Sequence, residues 1–199
     1  MQQQKKYQIT VQPITEPITL SEAREHLRNE GLTADDDYIN TLIVTARKWV
    51  EQYTSRALIN QTWVQSWDVV PSKAVFELAV NPLVSITSFQ YYDENGNSQN
   101  YTTYQTDTQS NQAVLCPDYN TTFPSIQLGR LNAINLTFVC GYGTAADVPG
   151  DIKHAIKIML AYFYDENRSG VVYGVKSNDS STFPKIVEYL LTDYRLTGL

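Results

Sequence analysis

The chain has 199 residues and a mass of 22.6 kDa, with 42% hydrophobic and 18% charged side chains. That suits one domain, or one domain carrying a substantial insertion, and is ample to bury a core. A formal charge of −6 at pH 7 argues against a protein that grips nucleic acid by neutralising phosphates, because such proteins carry a basic excess or stripe.

Apolar runs last only a few residues, far short of the ~20 that a spanning helix needs. The opening Met1-Gln2-Gln3-Gln4-Lys5-Lys6 has no apolar stretch behind its lysines, so no secretory signal is expected. Two cysteines, Cys116 and Cys140, cannot form a disulfide framework or a zinc site alone. The expectation is a reducing compartment, with both thiols acting as small core residues. Charge is uneven along the chain: residues 61–143 hold six acidic and two basic side chains, Lys73 and Arg130, and so carry −4 of the −6.

Thr19-Leu20-Ser21-Glu22 reads as a capping box opening a short helix that ends near Gly31. Asp35, Asp36 and Asp37 sit where the dipole of a second helix favours carboxylates. That helix carries Tyr38, Leu42, Ala46, Trp49 and Tyr53 on a broad apolar face and runs to about Arg56. From Gln61 the period changes to two, with Trp63, Gln65, Trp67 and Val69 on one face. Further strands are expected at 74–78, 84–91, 101–104, 113–116, 125–128 and 134–140, with Asn95-Gly96 marking a hairpin.

After Pro149 helical spacing returns, through Ile152, Ala155, Ile156, Met159, Leu160 and Phe163. Residues 165–182 read as a polar loop of eighteen residues, long for a compact domain. A last helix starts near Phe183-Pro184 and is expected to bury Ile186, Val187, Leu190, Leu191 and Tyr194. The layout is an α+β fold: a small helical bundle of about four helices interrupted by an antiparallel β insertion. Its parts are residues 1–60, the N-terminal helices; 61–143, the β insertion; and 144–199, the C-terminal helices.

Little in the chain points to catalysis. Consecutive carboxylates at 35–37 point about 100° apart on a helix and lack EF-hand spacing. His26 and His154 could meet a cysteine only in space, and neither thiol has a nucleophile's setting. Gly141-Tyr142-Gly143 lacks the lysine and the glycine spacing of a phosphate loop. No catalytic residue, metal ligand or cofactor site is expected. The 14 tyrosines and 3 tryptophans point instead to core packing or a protein interface.

A set of motifs in register goes further. Ile18-Thr19-Leu20-Ser21-Glu22-Ala23 is followed by Asp35-Asp36-Asp37-Tyr38-Ile39 and by Ala46-Arg47-Lys48-Trp49-Val50-Glu51-Gln52-Tyr53. Asn81-Pro82-Leu83-Val84, Cys140-Gly141-Tyr142-Gly143, Val148-Pro149-Gly150-Asp151-Ile152 and Phe183-Pro184-Lys185-Ile186-Val187 come next. Over roughly residues 14–196 the chain resembles the head–tail connector (adaptor, head-completion) proteins of tailed bacteriophages and gene transfer agents. It differs in having Phe183 where relatives often have Leu, and a longer loop before it.

The resemblance implies a non-enzymatic structural protein of the virion neck, between capsid and tail, assembled in the host cytoplasm. It implies a homo-oligomeric ring of about twelve copies beneath the portal protein, extending the DNA channel and offering a docking surface to the next neck, stopper or tail component. Double-stranded DNA would pass through without specific binding, and no membrane is involved. Helices 35–57 and 150–165 are then expected to form the bundle core and subunit contacts. The candidate interface residues are Val171, Val172 and Tyr173 in the long loop, and Leu191, Tyr194, Arg195, Leu196 and Leu199 at the C-terminal end, the latter as a portal-binding segment. The β insertion would face outward or tailward, or serve as a peripheral stabilising decoration. The alternative function is a tail-completion protein, or a β-domain binding module of a virion.

Overall fold

Helical periodicity at both ends of the sequence and two-residue periodicity in its middle produce two compact units, one built from helices and one from strands. In the computed structural model, residues 6–29, 31, 33–169 and 184–196 are described, with backbone alone for 165–169. The helical unit comprises 14–59 and 143–195. Its elements are α1 (Leu20–Leu27), α2 (Asp36–Thr54), α3 (Gly150–Ser169) and α4 (Lys185–Leu191).

The predicted capping box opens α1: the Glu22 N–H donates to Thr19 Oγ1, and the Glu22 carboxylate accepts from the Thr19 N–H at 2.8 Å. That backbone bond, which favours the ionised form, is the leading reason the Glu22 carboxyl lies below its ordinary range. A cap of this kind contributes about 1 kcal/mol. The helix ends earlier than expected. Arg28, not Gly31, takes the left-handed conformation (φ 54°), and the Asn29 N–H closes back on the Arg24 carbonyl. Tertiary anchoring explains the early stop, because Asn29 is buried and its Nδ2 donates to the Tyr164 hydroxyl.

Along α2 the buried positions Ile39, Leu42, Ile43, Ala46, Val50 and Thr54 form the stripe that a 3.6-residue period requires. Arg47 is buried in the same stripe. Its guanidinium donates to Glu16 at 2.7 Å and to Glu51 at 2.6 Å, and Glu51 also accepts from the Leu58 N–H. Two carboxylates thus compensate one desolvated cation. On α3, Ile152, Ala155, Ile156, Met159 and Leu160 are buried, as their spacing predicts. This helix runs on to Ser169, past the loop start expected at 165, because nothing in Asp165-Glu166-Asn167-Arg168 breaks a helix. On α4, Val187 and Leu191 are buried, whereas Ile186 is 51% exposed instead of packed.

The β unit takes 6–13, 60–142 and Leu196 among the described residues. Its larger sheet is antiparallel with order β1-β2-β8-β4-β5, formed by β1 (Lys6–Val11), β2 (Gln61–Trp67), β4 (Leu83–Tyr92), β5 (Ser98–Asn100) and β8 (Ile134–Cys140). A second sheet orders β3 (Phe76–Glu77), β7 (Val114–Pro117) and β6 (Tyr104–Asp107) as β3-β7-β6. Along β8 the alternation is complete, with Ile134, Leu136, Phe138 and Cys140 buried. Fully burying each of its large apolar side chains contributes roughly 1.5–3 kcal/mol.

Strand β1 was not anticipated within the segment assigned to helices. It exists because it pairs with β2, which sets Tyr7 beside Trp63 (5.9 Å between rings) and Lys6 against Asp68 (2.7 Å). Buried Gln65 donates to the Glu77 carbonyl and accepts from the Ala79 N–H, both at 2.9 Å, so its polar atoms cost nothing unpaired. The Asn95-Gly96 hairpin forms as expected: Gly96 has φ +82°, and Asp93 accepts from the N–H groups of Asn95 and Asn97.

Three expected strands change. Residues 125–128 form none, because the segment descends to put Phe123 among the rings of Phe76, Tyr91 and Tyr101 (5.1, 5.7 and 4.7 Å). At 101–104 only Tyr104 belongs to a strand, and at 74–78 only Phe76 and Glu77 do. The α+β class of the sequence reading, helices with antiparallel sheets, holds.

Candidate assembly surface

Residues that sequence reading proposed for contact with other proteins fall in different surroundings. Val171, Val172, Tyr173 and Leu199 lie outside the described residues, as does most of the loop at 165–182. Leu191 is fully buried in the helical unit, and Leu196 is buried and groups with the β unit. Tyr194 and Arg195 follow α4 and are partly to well exposed.

These two are positioned by the end of α2. Arg56 Nε donates to the Tyr194 carbonyl at 2.6 Å, and the Arg195 guanidinium lies 5.0 Å from the centre of the Tyr53 ring. Tyr53 in turn stacks on Trp49, with rings 5.2 Å apart and nearly parallel. Partial burial, and then the charge of Asp151, raise the Tyr194 hydroxyl above its ordinary pKa. The two α2 aromatics, with Gln52 and Glu188, line a groove of about 380 Å³. On α4, Ile186 (51% exposed) and Tyr189 (77%) face solvent.

The sequence reading placed Trp49 and Tyr53 on the apolar face of α2. Their spacing of four residues stacks them, but both remain half-exposed. Alone, that i, i+4 aromatic pair does not announce a groove; the wall supplied by α4 completes it.

The β unit has its own exposed apolar residues. Leu128 is 90% exposed, Leu131 72% and Tyr119 87%, all in the connection between β7 and β8. That connection is held firmly. The Gln127 N–H donates to the Tyr92 carbonyl at 3.0 Å, the Arg130 guanidinium sits 3.5 Å over the Tyr92 ring, and the Asn132 N–H donates to Asp68 at 2.6 Å. Gly129 (φ +76°) and Asn132 (φ +53°) supply the left-handed turns between them.

The arrangements considered for chemistry do not assemble. Asp36 pairs with Arg24, Asp35 accepts from the Tyr164 hydroxyl at 2.7 Å, and Asp37 lies at the surface. Three adjacent carboxylates thus serve three separate purposes. His26 and His154 do meet, with ring centres 6.4 Å apart in the helical unit. Gly141 and Gly143 have positive φ, and the segment continues into a capped turn in which Asp147 accepts from the Thr144 N–H and hydroxyl. Among the described residues, no group of three or more His, Cys, Asp or Glu side chains converges as a metal site, and no helix is long and apolar enough to cross a membrane.

The family model described as "Phage gp6-like head-tail connector protein" matches residues 17–117. No curated protein matches the sequence. Among solved structures, a chain from the neck of an empty gene transfer agent particle, computed with C6 symmetry, has a TM-score of 0.77 at 17% identity, covering 98% of this chain and 97% of that one. A chain from the virion of a native gene transfer agent particle has a TM-score of 0.71 at 17% identity, covering 97% and 96%. A chain from the neck of a native particle, computed with C12 symmetry, has a TM-score of 0.60 at 16% identity, covering 96% and 97%. The likeness takes in both units of the fold.

Proposed function

The chain belongs to the Phage gp6-like head-tail connector protein family, and from that premise we propose that it is a structural, non-enzymatic protein of the virion neck that joins the capsid portal to the tail. It assembles as a ring of about twelve copies under the portal protein, prolongs the DNA channel and receives the next neck, stopper or tail component. The observation that carries this reading is the family match together with a fold shared, over nearly its whole length, with chains of gene transfer agent necks.

Two further observations support it. Exposed apolar residues on the β7–β8 connection and on α4 are among several such positions on the surface, and a closed ring of identical subunits needs two unlike patches. The charge of −6 suits a passage through which DNA must slide, since a wall rich in Lys and Arg would hold the phosphates. Tyr194 and Arg195, braced by Arg56 and Tyr53, are the portal-facing candidates.

The deciding experiment is native mass by light scattering, on the purified chain alone and mixed with the portal ring of the same particle. A many-copy complex on the portal is expected. A chain that stays monomeric and shows no affinity for the portal would overturn the reading.

A further inference from the structure

The chain has two histidines, and the helical unit brings them together. His26 stands in the last turn of α1 and His154 near the start of α3, and these two helices pack on one another. Both side chains are exposed, with ring centres 6.4 Å apart and ring planes perpendicular. Partial burial, and then the charges of His154 and Lys157, hold the His26 imidazole below its ordinary pKa. Its ring therefore keeps a nitrogen lone pair at neutral pH.

Neutral imidazole is a ligand that late first-row dications take readily, whereas Mg²⁺ and Ca²⁺ take oxygen. With metal–nitrogen bonds of about 2.0–2.1 Å, two imidazoles on one tetrahedral ion have ring centres about 5 Å apart. Small torsional rotations bring exposed rings to that spacing from 6.4 Å. Charge around the pair is balanced. Lys153 and Lys157 flank His154 on α3, and Glu22, one turn before His26, sets its carboxylate 3.6 Å from the Lys157 ammonium. Glu22 is also committed to the Thr19 cap, so it acts as a counter-charge and not as a third ligand.

We propose that His26 and His154 form a two-ligand site for a divalent late first-row transition ion such as Zn²⁺, with water completing its coordination. The ion would pin α1 to α3. A helix of eight residues is too short to hold itself in water, so a cross-link to the twenty-residue α3 acts where the unit needs an anchor. The site belongs to one copy of the chain and is independent of the ring reading.

The test uses the tag-free full-length chain at mildly alkaline pH, in millimolar Zn²⁺ and, as control, millimolar Mg²⁺. A ligand that binds only the folded form stabilises it, so Zn²⁺ is expected to raise the melting temperature by several degrees and Mg²⁺ to leave it unchanged. Hydrogen exchange across residues 20–27 should slow with Zn²⁺, and electron paramagnetic resonance with Cu²⁺ should show two coupled nitrogens. His26→Gln and His154→Gln alter exposed positions and should melt like the wild type without metal. Each should lose the Zn²⁺ shift and weaken binding by at least the roughly 10–100-fold that loss of an outer-shell partner costs. Equal melting in Zn²⁺ and Mg²⁺ would overturn the site. A Zn²⁺ shift that survives in either variant would also overturn it, by placing the ion on other groups. So would a rise in native mass on adding Zn²⁺, which would place the two ligands on different copies.

Discussion

Arg56, one residue beyond the left-handed cap of α2, donates its Nε hydrogen to the main-chain carbonyl of Tyr194 at 2.6 Å. One charge-assisted bond thus ties the end of the second helix to the segment that leaves the fourth. With Arg195 lying over Tyr53, it gives a stretch with no regular helix after residue 194 a defined course. Sequence separation is 138 residues, so only the folded unit brings the pair together.

Removing that bond should loosen the segment before it touches the core. Arg56→Ala is expected to cost about 1.5–3 kcal/mol locally, the range for hydrogen bonds to a charged group. Hydrogen exchange at residues 192–196 should rise while α3 stays protected, and affinity for the portal should fall. Unchanged exchange at 192–196 would show that the bond does not position the segment.

Arg47 is a buried charge of the helical unit, held by Glu16 and Glu51. Breaking a buried pair from one side strands the other charge, at a cost of about 3–5 kcal/mol. Glu51→Ala removes both its ion pair and the acceptor of the Leu58 N–H, so it should lie toward the upper end. Arg47→Met, which replaces the cation by an apolar chain of similar length, should cost distinctly less. Urea denaturation followed by helical circular dichroism would rank the three proteins, and equal midpoints would refute the assignment.

Gly143 has φ +125°, and a Cβ built on it would stand 2.7 Å from an Asp147 carboxylate oxygen. That oxygen accepts from Thr144, which holds the Asp147 carboxyl below its ordinary range. Gly143→Ala therefore combines backbone strain with displacement of the cap, at about 1–3 kcal/mol. A fall of several degrees in melting temperature is expected. Gly150→Ala, where nothing lies within 4 Å of the new Cβ, is the control and should leave it nearly unchanged.

His26 supplies a pH dependence. Partial burial, and then the positive charges that His154 and Lys157 bring, push the His26 imidazole below its ordinary pKa. With the folded-state value lowered, the unfolded chain binds more protons as pH falls below about 6.5. The stability present above that point is lost as pH drops through the folded value. Melting temperature should thus decline between pH 7 and pH 5, and His26→Gln should flatten the decline. A variant that declines as steeply as the wild type would assign the effect to other groups.

Much of the helical unit was legible because its signals are local. The Thr19–Glu22 box, the α3 stripe from Ile152 to Leu160 and the end of α2 near Arg56 all depend on contacts within a turn or two, and each stands where its spacing put it. The alternation of β8 is equally local. What failed was decided from a distance. Strand β1 needs β2 as a template, and in place of the strand expected at 125–128 the chain runs on from Phe123, which sits in an aromatic cluster assembled from β3, β4 and the start of β6.

The candidate surface was legible only in outline. Tyr194 and Arg195 were singled out as contact residues, but the exposed Ile186 was expected in the core, and Leu128 was read as the end of a strand at 125–128. By itself, then, the sequence determined the α+β class, the helix starts, the principal strands and the likeness to head–tail connectors, because capping, periodicity and motif order are written in neighbouring residues. The tertiary structure alone decided which apolar side chains face water. Exposure at 128, 131, 186 and 189 depends on whether another element arrives to cover them, and no local pattern records an arrival from a hundred residues away.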